Sequence, residues 1–210
     1  MKFDLPKIYP ITDRRLSGMP HADQVRELAL GGASLIQVRE KNLPSGEFLT
    51  MAREAVAAGR EFDVKIIIND RVDIALMSGA AGVHLGQTDL PPDAAREMLG
   101  AEAIIGYSTH NIEQATAAAK LPVDYIAVGP IFSTDTKEDT EPVVGIEGIT
   151  AVRAAIGVIP LVAIGGISEL RISGVLAAGA DSAAVISAIY GDDSDISSRL
   201  SELIRIANNN

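Results

Sequence analysis

Short, almost continuously apolar runs alternate with longer amphipathic stretches along the whole chain. Each apolar run is four to six residues long. Runs of this kind are typical of strands that a parallel sheet buries on both faces. The pattern therefore predicts eight strands, over residues 7–12, 34–39, 65–69, 82–85, 103–108, 125–128, 161–164 and 182–186.

The stretches between the predicted strands have helical periodicity. Apolar side chains recur three and four residues apart, which predicts amphipathic helices over residues 48–56, 172–176 and 196–204. Asn111 and Ser168 precede helical patterns and are expected to cap helix N-termini, because their side chains accept hydrogen bonds from the first turn.

The alternation of strand and helix favours an α/β fold with a parallel sheet. Eight units in 210 residues leave about 26 residues per unit, which is near the lower end for a (β/α)8 TIM barrel. An open, doubly wound sheet is the alternative, and it normally has a glycine-rich phosphate loop after the first strand. Thr12-Asp13-Arg14-Arg15 stands there instead. We therefore expect residues 1–210 to form a single barrel domain.

Composition and charge narrow the class of protein. Hydrophobic residues make up 47% of the chain and charged residues 22%, as in ordinary globular proteins. The formal net charge of −10 argues against a nucleic-acid partner, because phosphate backbones require a basic face. No apolar run approaches the roughly 20 residues of a membrane span. The chain has no cysteine and no leader-like start, so we expect a cytoplasmic protein.

Polar residues concentrate where the predicted strands end, which is where barrels place their chemistry. Gln37, Arg39 and Lys41 alternate, so on a strand their side chains would share one face and suit a phosphate or diphosphate. The alternative is a strand end with solvated cations. Asp70 and Asp89 end neighbouring strands and could hold Mg²⁺, although a single aspartate after a strand is often a helix cap.

Two further features suit a phosphate group. The backbone N–H groups of Gly165-Gly166-Ile167-Ser168 after the seventh strand, and of Gly179–Ser187 through the eighth, match the position of the phosphate site in many barrels, and a plain tight turn is the alternative at Gly165-Gly166. Thr134-Asp135-Thr136-Lys137 combines hydroxyls with one lysine, and a solvated loop is its alternative.

The histidines and serines do not form the motifs of a zinc site or of a serine nucleophile. His21 is expected on the surface, His110 in a turn, and His84 within a strand as a structural residue. Zinc is not expected, and no G-x-S-x-G motif supports a serine nucleophile.

Four motifs follow one another at the predicted strand ends: Gln37-Val38-Arg39-Glu40-Lys41, Ile68-Asn69-Asp70-Arg71, Gly82-Val83-His84-Leu85-Gly86-Gln87-Thr88-Asp89 and Gly129-Pro130-Ile131-Phe132-Ser133-Thr134-Asp135-Thr136-Lys137. In order and spacing they resemble the thiamine phosphate synthase (thiamine-phosphate pyrophosphorylase) family over nearly the whole chain. The resemblance implies a (β/α)8 barrel that uses Mg²⁺. It also implies the condensation of 4-amino-2-methyl-5-pyrimidinylmethyl diphosphate with 4-methyl-5-(2-phosphoethyl)thiazole to give thiamine phosphate and diphosphate.

The resemblance also implies roles for individual residues. The positions that hold the pyrimidine diphosphate are Gln37, Arg39, Lys41, Asn69, Ser108 and Lys137. His84 lies near the pyrimidine, and Asp70 and Asp89 bind Mg²⁺. The positions around the thiazole phosphate are Thr134, Thr136, Gly166, Ile186 and Ser187. The catalytic residues among these are Lys137, Ser108 and Arg39.

The chain departs from the family pattern at Ala81, Ser133 and Ser182-Ala183, none of which is an expected ligand. The competing functions are a thiazole tautomerase of the same superfamily, a non-catalytic barrel that binds a phosphorylated ligand, and a phosphosugar isomerase or aldolase. The stretch 133–145 carries many charges and is expected to act as a lid that orders on substrate binding.

Overall fold

The computed structural model describes residues 4–134, 142–190 and 195–209. Eight parallel strands form a closed barrel in which each strand pairs with its neighbours in chain order, and the last strand pairs with the first. This confirms the predicted (β/α)8 fold. The strands are β1 Ile8–Thr12, β2 Leu35–Val38, β3 Lys65–Asn69, β4 Gly82–Leu85, β5 Ile104–Thr109, β6 Tyr125–Val128, β7 Leu161–Ile164 and β8 Ser182–Val185.

Helices pack around the barrel between successive strands. The α-helices are α1 Arg14–Ser17, α2 His21–Leu30, α3 Ser45–Glu61, α4 Val72–Ser78, α5 Pro92–Leu99, α6 Ile112–Ala118, α7 Gly145–Ile156, α8 Ile172–Ala177 and α9 Ile196–Asn208. Short 3₁₀ turns lie at Glu169–Arg171 and Ser187–Ile189. Among the residues described, none of the helices combines the length and the apolarity that a membrane crossing requires.

The core has two layers, which explains the apolar runs in the sequence. One cluster fills the barrel interior and includes Tyr9, Ile67 and Tyr125. A larger cluster joins the outer faces of the strands to the helices, for example through Ile36 of β2 and Phe48 of α3. Successive strand residues point to opposite faces of the barrel, and each face packs against one of the two clusters. Neighbouring residues of a strand are therefore both buried, and the strand sequences are continuously apolar.

Strand β2 ends one residue earlier than the sequence predicts, and this changes the surroundings of two candidate residues. The backbone N–H of Arg39 donates to the Oγ1 atom of Thr12 at 3.3 Å, so it bonds to a side chain instead of continuing the ladder. Gln37 therefore lies on the strand, whereas Arg39 and Lys41 follow it. The prediction that Gln37, Arg39 and Lys41 share one face of a strand is therefore wrong, because only Gln37 belongs to the strand.

Two local predictions at helix starts are also wrong, and one is confirmed. Ser168 makes no side-chain capping bond, because a 3₁₀ turn separates it from α8. His21 is buried rather than exposed, since Thr12 and Glu40 lie against its ring. The Asn111 side chain accepts from Gln114 N at 2.8 Å, as predicted for a helix cap.

Candidate active site

The ends of β2, β3 and β4 bring one cation and two carboxylates together. The Nζ atom of Lys41 lies 2.8 Å from Oδ2 of Asp70. The Asp89 carboxylate accepts from the backbone N–H of Gly86 at 2.7 Å. Burial raises the pKa of Asp89, and the neighbouring Asp70 carboxylate raises it further. Two carboxylates therefore lie close together, with Lys41 paired to one of them.

Asp70 is not a helix cap, which removes the structural alternative for this residue. Helix α4 begins at Val72, and Arg71 stands at its N-cap without a side-chain capping bond. Asp70 instead has a φ of 63°, a left-handed conformation that is uncommon for residues other than glycine. Asp70 follows β3 directly, and its backbone N–H donates to the carbonyl oxygen of His84 in the neighbouring strand β4 at 2.8 Å.

Two more polar side chains beside this group have no partner among the residues that the structure describes. The Asn69 side chain is buried, and its Nδ2 atom has no acceptor there. Arg39 is half-buried, and no described carboxylate forms an ion pair with it. Buried amide donors and half-buried guanidinium groups are costly without a partner. A bound anion would supply the missing acceptors.

The donor set fits Mg²⁺. This ion prefers hard oxygen ligands and is usually bound by one or two carboxylates together with substrate phosphates. Asp70 and Asp89 would supply the two carboxylates. Within the described ranges no group of three or more His, Cys, Asp or Glu side chains is placed to hold a metal ion. Substrate phosphates would therefore have to provide the other ligands.

A chain of hydrogen bonds crosses the barrel interior below this group. Gln37 Nε2 lies 3.3 Å from the Tyr9 hydroxyl, which lies 3.1 Å from the Tyr125 hydroxyl. The Tyr125 hydroxyl lies 2.9 Å from Nδ1 of His84, and Nε2 of His84 lies 2.8 Å from Oγ of Ser108. Burial raises the pKa of both phenols, so they stay protonated. We call these five residues the interior chain.

A cleft of about 460 Å³ opens at the ends of β6, β7 and β8, next to α1. We call it the α1 cleft, and its lining residues are Arg15, Leu16, Ser133, Thr134, Gly166, Ile167, Ser168, Ser187 and Ala188. Asp13 caps α1 by accepting from Arg15 N and Leu16 N, which fixes the turn that carries Arg15 into the wall. The Arg15 guanidinium has no hydrogen-bond or ion-pair partner in the described part of the chain.

Gly166 is required by the shape of the α1 cleft. Its φ is 61°, and an added Cβ would overlap the backbone carbonyl of Ser133. The Gly166 carbonyl accepts from Arg171 Nη1 at 2.6 Å, and the Arg171 guanidinium lies 4.2 Å from the centroid of the Phe132 ring. The close approach of the two loops therefore depends on a residue without a side chain.

The structure brings most of the predicted site residues to one end of the barrel. Thr134, Gly166 and Ser187 line the α1 cleft, and Ile186 is buried in the interior cluster beside it. Thr136, Lys137 and most of the predicted lid lie outside the described residues.

Arg15, Tyr9 and Tyr125 are site residues that the sequence analysis did not identify. Among the departures from the family pattern, Ala81 donates to Ile66 O at 2.8 Å, and Ser182 is buried with no partner for Oγ among the described residues.

Fold and site together define the class of protein, a (β/α)8-barrel enzyme with its polar groups at the carboxyl ends of the strands. Residues 8–189 match the family model described as thiamine monophosphate synthase. A thiamine-phosphate synthase of Clostridium novyi is 44% identical over 89% of this chain and 92% of its own. One of Syntrophomonas wolfei is 45% identical over 95% of both chains. A solved thiamine phosphate pyrophosphorylase from Pyrococcus furiosus superposes with a TM-score of 0.87 at 39% identity, over 97% of this chain and 96% of that one.

The chain therefore belongs to the thiamine monophosphate synthase family. It is a transferase of thiamine biosynthesis, and its activity is thiamine-phosphate synthesis. The family resemblance seen in the motifs is confirmed.

Proposed function

We propose that the protein joins the pyrimidine diphosphate to the thiazole phosphate in the cytoplasm, with Mg²⁺ and the site residues in the roles that the motifs imply. The observation that carries this proposal is the Lys41–Asp70 ion pair beside the Asp89 carboxylate, whose pKa the neighbouring Asp70 charge helps to raise. Two carboxylates that could hold Mg²⁺, next to a lysine, suit a diphosphate, because its charge requires both a metal ion and a cationic side chain.

The pyrimidine diphosphate lies across the ends of β2, β3 and β4. Arg39 and Lys41 bind its phosphate oxygens, and the unpartnered Nδ2 atom of Asn69 donates to them. His84 and Gln37 contact the pyrimidine ring from the barrel interior. Mg²⁺ held by Asp70 and Asp89 would neutralise charge on the diphosphate as it leaves.

The reaction breaks one bond and forms another without a protein nucleophile. The C–O bond between the methylene carbon and the diphosphate breaks, and the diphosphate keeps the electron pair. The electron-rich aminopyrimidine stabilises the resulting methylene cation. The thiazole nitrogen then donates its lone pair to that carbon and forms the new C–N bond. Arg39, Lys41, Ser108 and Lys137 stabilise the leaving diphosphate, so catalysis rests on positioning and electrostatics.

The thiazole phosphate binds with its phosphate in the α1 cleft. Thr134 and Ser187 supply hydroxyl groups, and Gly166 allows the phosphate to approach the backbone. Arg15 supplies the charge, because its guanidinium lines the same cleft and has no partner in the described part of the chain.

The carboxylate pair favours synthesis over the competing functions. A thiazole tautomerase would use the α1 cleft but needs neither the cations that follow β2 nor two converging carboxylates. An aldolase that forms a Schiff base needs a lysine inside the barrel. The buried interior, in the ranges described, contains no lysine.

The test mixes the purified protein with both phosphorylated substrates and Mg²⁺. We expect thiamine phosphate and diphosphate to form in equal amounts, and we expect excess EDTA to abolish the reaction until Mg²⁺ is restored in excess. Full turnover in EDTA would contradict the metal assignment. Conversion of the thiazole alone, without the pyrimidine diphosphate, would instead identify a tautomerase.

A further inference from the structure

The interior chain has a defined direction of hydrogen-bond donation. An amide nitrogen can only donate, so Gln37 Nε2 donates to the Tyr9 oxygen. Tyr9 has one hydrogen left, and its remaining partner among the described residues is the Tyr125 oxygen. Tyr9 is 1% exposed, so a hydroxyl hydrogen without an acceptor there would be costly. Tyr9 therefore donates to Tyr125.

The direction of donation continues from Tyr125 through His84 to Ser108. The Tyr125 oxygen has accepted from Tyr9, so its hydrogen points to Nδ1 of His84 at 2.9 Å. A neutral imidazole whose Nδ1 atom accepts a hydrogen bond carries its proton on Nε2. Nε2–H of His84 then donates to Oγ of Ser108 at 2.8 Å. The Ser108 hydroxyl accepts this bond and keeps its own hydrogen for another partner.

We infer that Tyr9 and Tyr125 are positioning residues, which fix the His84 ring in its Nε2–H tautomer and thereby make Ser108 a hydrogen-bond donor to the leaving diphosphate. Neither tyrosine touches the substrate in this role. The inference deepens the proposed function, on which the part concerning diphosphate rests. The opposite direction of donation would require Gln37 to present its carboxamide oxygen to Tyr9.

The packing around Tyr125 holds its ring beside His84. Gly106 of β5 is the register partner of Tyr125 on β6. A Cβ at position 106 would overlap the Tyr125 ring and its hydroxyl oxygen. The Tyr125 ring also stacks on the His84 ring, with centroids 5.5 Å apart and planes 22° apart. The missing side chain at Gly106 therefore provides the space in which the Tyr125 hydroxyl reaches His84.

The first experiment measures the His84 tautomer in the protein without substrates. Protein labelled with ¹⁵N-histidine is studied by NMR near neutral pH, where the protonated and unprotonated ring nitrogens have well-separated shifts. The His84 signals are assigned by their loss in His84→Asn. We expect the proton on Nε2 in the wild type and a shift toward the Nδ1–H tautomer in Tyr125→Phe. A wild-type His84 protonated on Nδ1 would overturn the inferred direction.

The second experiment measures steady-state kinetics with each substrate varied in turn. Removing one buried hydrogen-bonding group should lower kcat/KM for the pyrimidine diphosphate by about tenfold in both Tyr9→Phe and Tyr125→Phe. The KM for the thiazole phosphate should not change. In a Ser108→Ala background, Tyr125→Phe should have little further effect, because both act through the same hydroxyl. Additive losses would contradict a role through Ser108.

Tyr190→Phe is the matched control. Its partly buried hydroxyl donates to Gln24 Oε1 at 2.6 Å and lies outside the interior chain. The variant should lose stability without a change in the His84 tautomer or in the KM for the pyrimidine diphosphate. Equal kinetic losses in Tyr190→Phe and Tyr125→Phe would reduce the tyrosines to a structural role. A wild type with the expected tautomer but no synthase activity would refute the proposed function and leave the donation pattern intact.

Discussion

Lys41 and Asp70 form an ion pair, with Nζ and Oδ2 2.8 Å apart, although they follow different strands. The pair joins a cation expected on the diphosphate to a carboxylate expected on Mg²⁺. Both side chains are partly exposed, so the pair itself adds little to the stability of the fold. Its consequence is positional, since each partner holds the other at the mouth of the barrel before substrate arrives.

Asp70→Asn separates metal binding from structure. Asparagine has nearly the same size and tolerates the left-handed φ of 63° at this position, so the free energy of unfolding should change by no more than about 0.5 kcal/mol. The lost charge is what a hard cation requires. The Mg²⁺ concentration for half-maximal rate should rise by at least about tenfold, because even outer-shell partners of metal sites are worth that much.

Asp73→Asn is the control for this prediction. Asp73 lies in the first turn of α4 and pairs with Arg71 on the surface, three residues from Asp70. Its replacement should leave the Mg²⁺ titration unchanged. Identical titrations for Asp70→Asn and the wild type would show that Asp70 does not bind the metal.

Burial on both strand faces made the fold predictable from the sequence. Runs such as Ile66–Ile68 are apolar at every position because one face packs inside the barrel and the other against helices. Strand ends were less predictable. At Arg39 a side-chain acceptor, Thr12 Oγ1, replaces the next ladder bond, and that acceptor lies 27 residues away in the sequence.

Parts of the site depend on contacts that no local pattern reveals. The Tyr9 and Tyr125 hydroxyls meet across 116 residues of sequence, and only closure of the barrel brings them together. Arg15 lies on a helix of four residues, which is too short for a periodic signal. The proximity of Asp70 and Asp89, in contrast, was predictable from the sequence, because the carboxyl ends of all strands in a barrel lie at the same edge.

Arg15→Ala tests the cation of the α1 cleft. Loss of a charge-assisted bond to phosphate should raise the KM for the thiazole phosphate about 10- to 100-fold and leave the KM for the pyrimidine diphosphate unchanged. The corresponding thiazole alcohol lacks the phosphate, so its reaction should be equally slow in the variant and the wild type. Arg15→Lys should recover part of the loss, since it keeps the charge but not the planar fork.

Arg26→Ala removes the same charge on α2, where the residue pairs with Asp23 and Glu61 away from the cleft. It should not alter either KM. An equal rise of the thiazole phosphate KM in both variants would point to the net charge of the protein instead of a contact by Arg15.

Lys137→Ala tests a residue that the motif identifies as catalytic. The loss of one cation that stabilises the leaving diphosphate should lower kcat about 100- to 1,000-fold, by analogy with the removal of an oxyanion-hole donor. Thermal unfolding should remain close to that of the wild type. Lys120→Ala, at an exposed lysine after α6, is the matched control and should keep full activity. A destabilised Lys137→Ala protein with normal kcat in its folded fraction would indicate a structural role.

His21 is buried between β1 and the segment after β2. Its Nδ1 atom lies 2.8 Å from Thr12 Oγ1, and Nε2 lies 3.6 Å from Glu40 Oε2. Burial lowers the pKa of His21 to about 4, the nearby Arg14 lowers it as well, and the charges of Glu40 and Asp13 oppose the shift only in part. The folded protein therefore keeps this ring neutral at pH values where an unfolded chain would protonate it.

The stability of the protein should accordingly fall as the pH drops from about 6.5 toward 4, because in that window the unfolded chain binds a proton at position 21 that the folded protein excludes. Between pH 7.5 and pH 5 this group alone should remove about 2 kcal/mol from the free energy of unfolding. Denaturant unfolding at several pH values measures the slope. His21→Gln retains an amide that can bond to Thr12 but does not titrate, so its curve should be flatter than that of the wild type by the same amount. If the variant and the wild type lose stability in parallel, His21 is protonated within the fold, and the acid sensitivity comes from other groups.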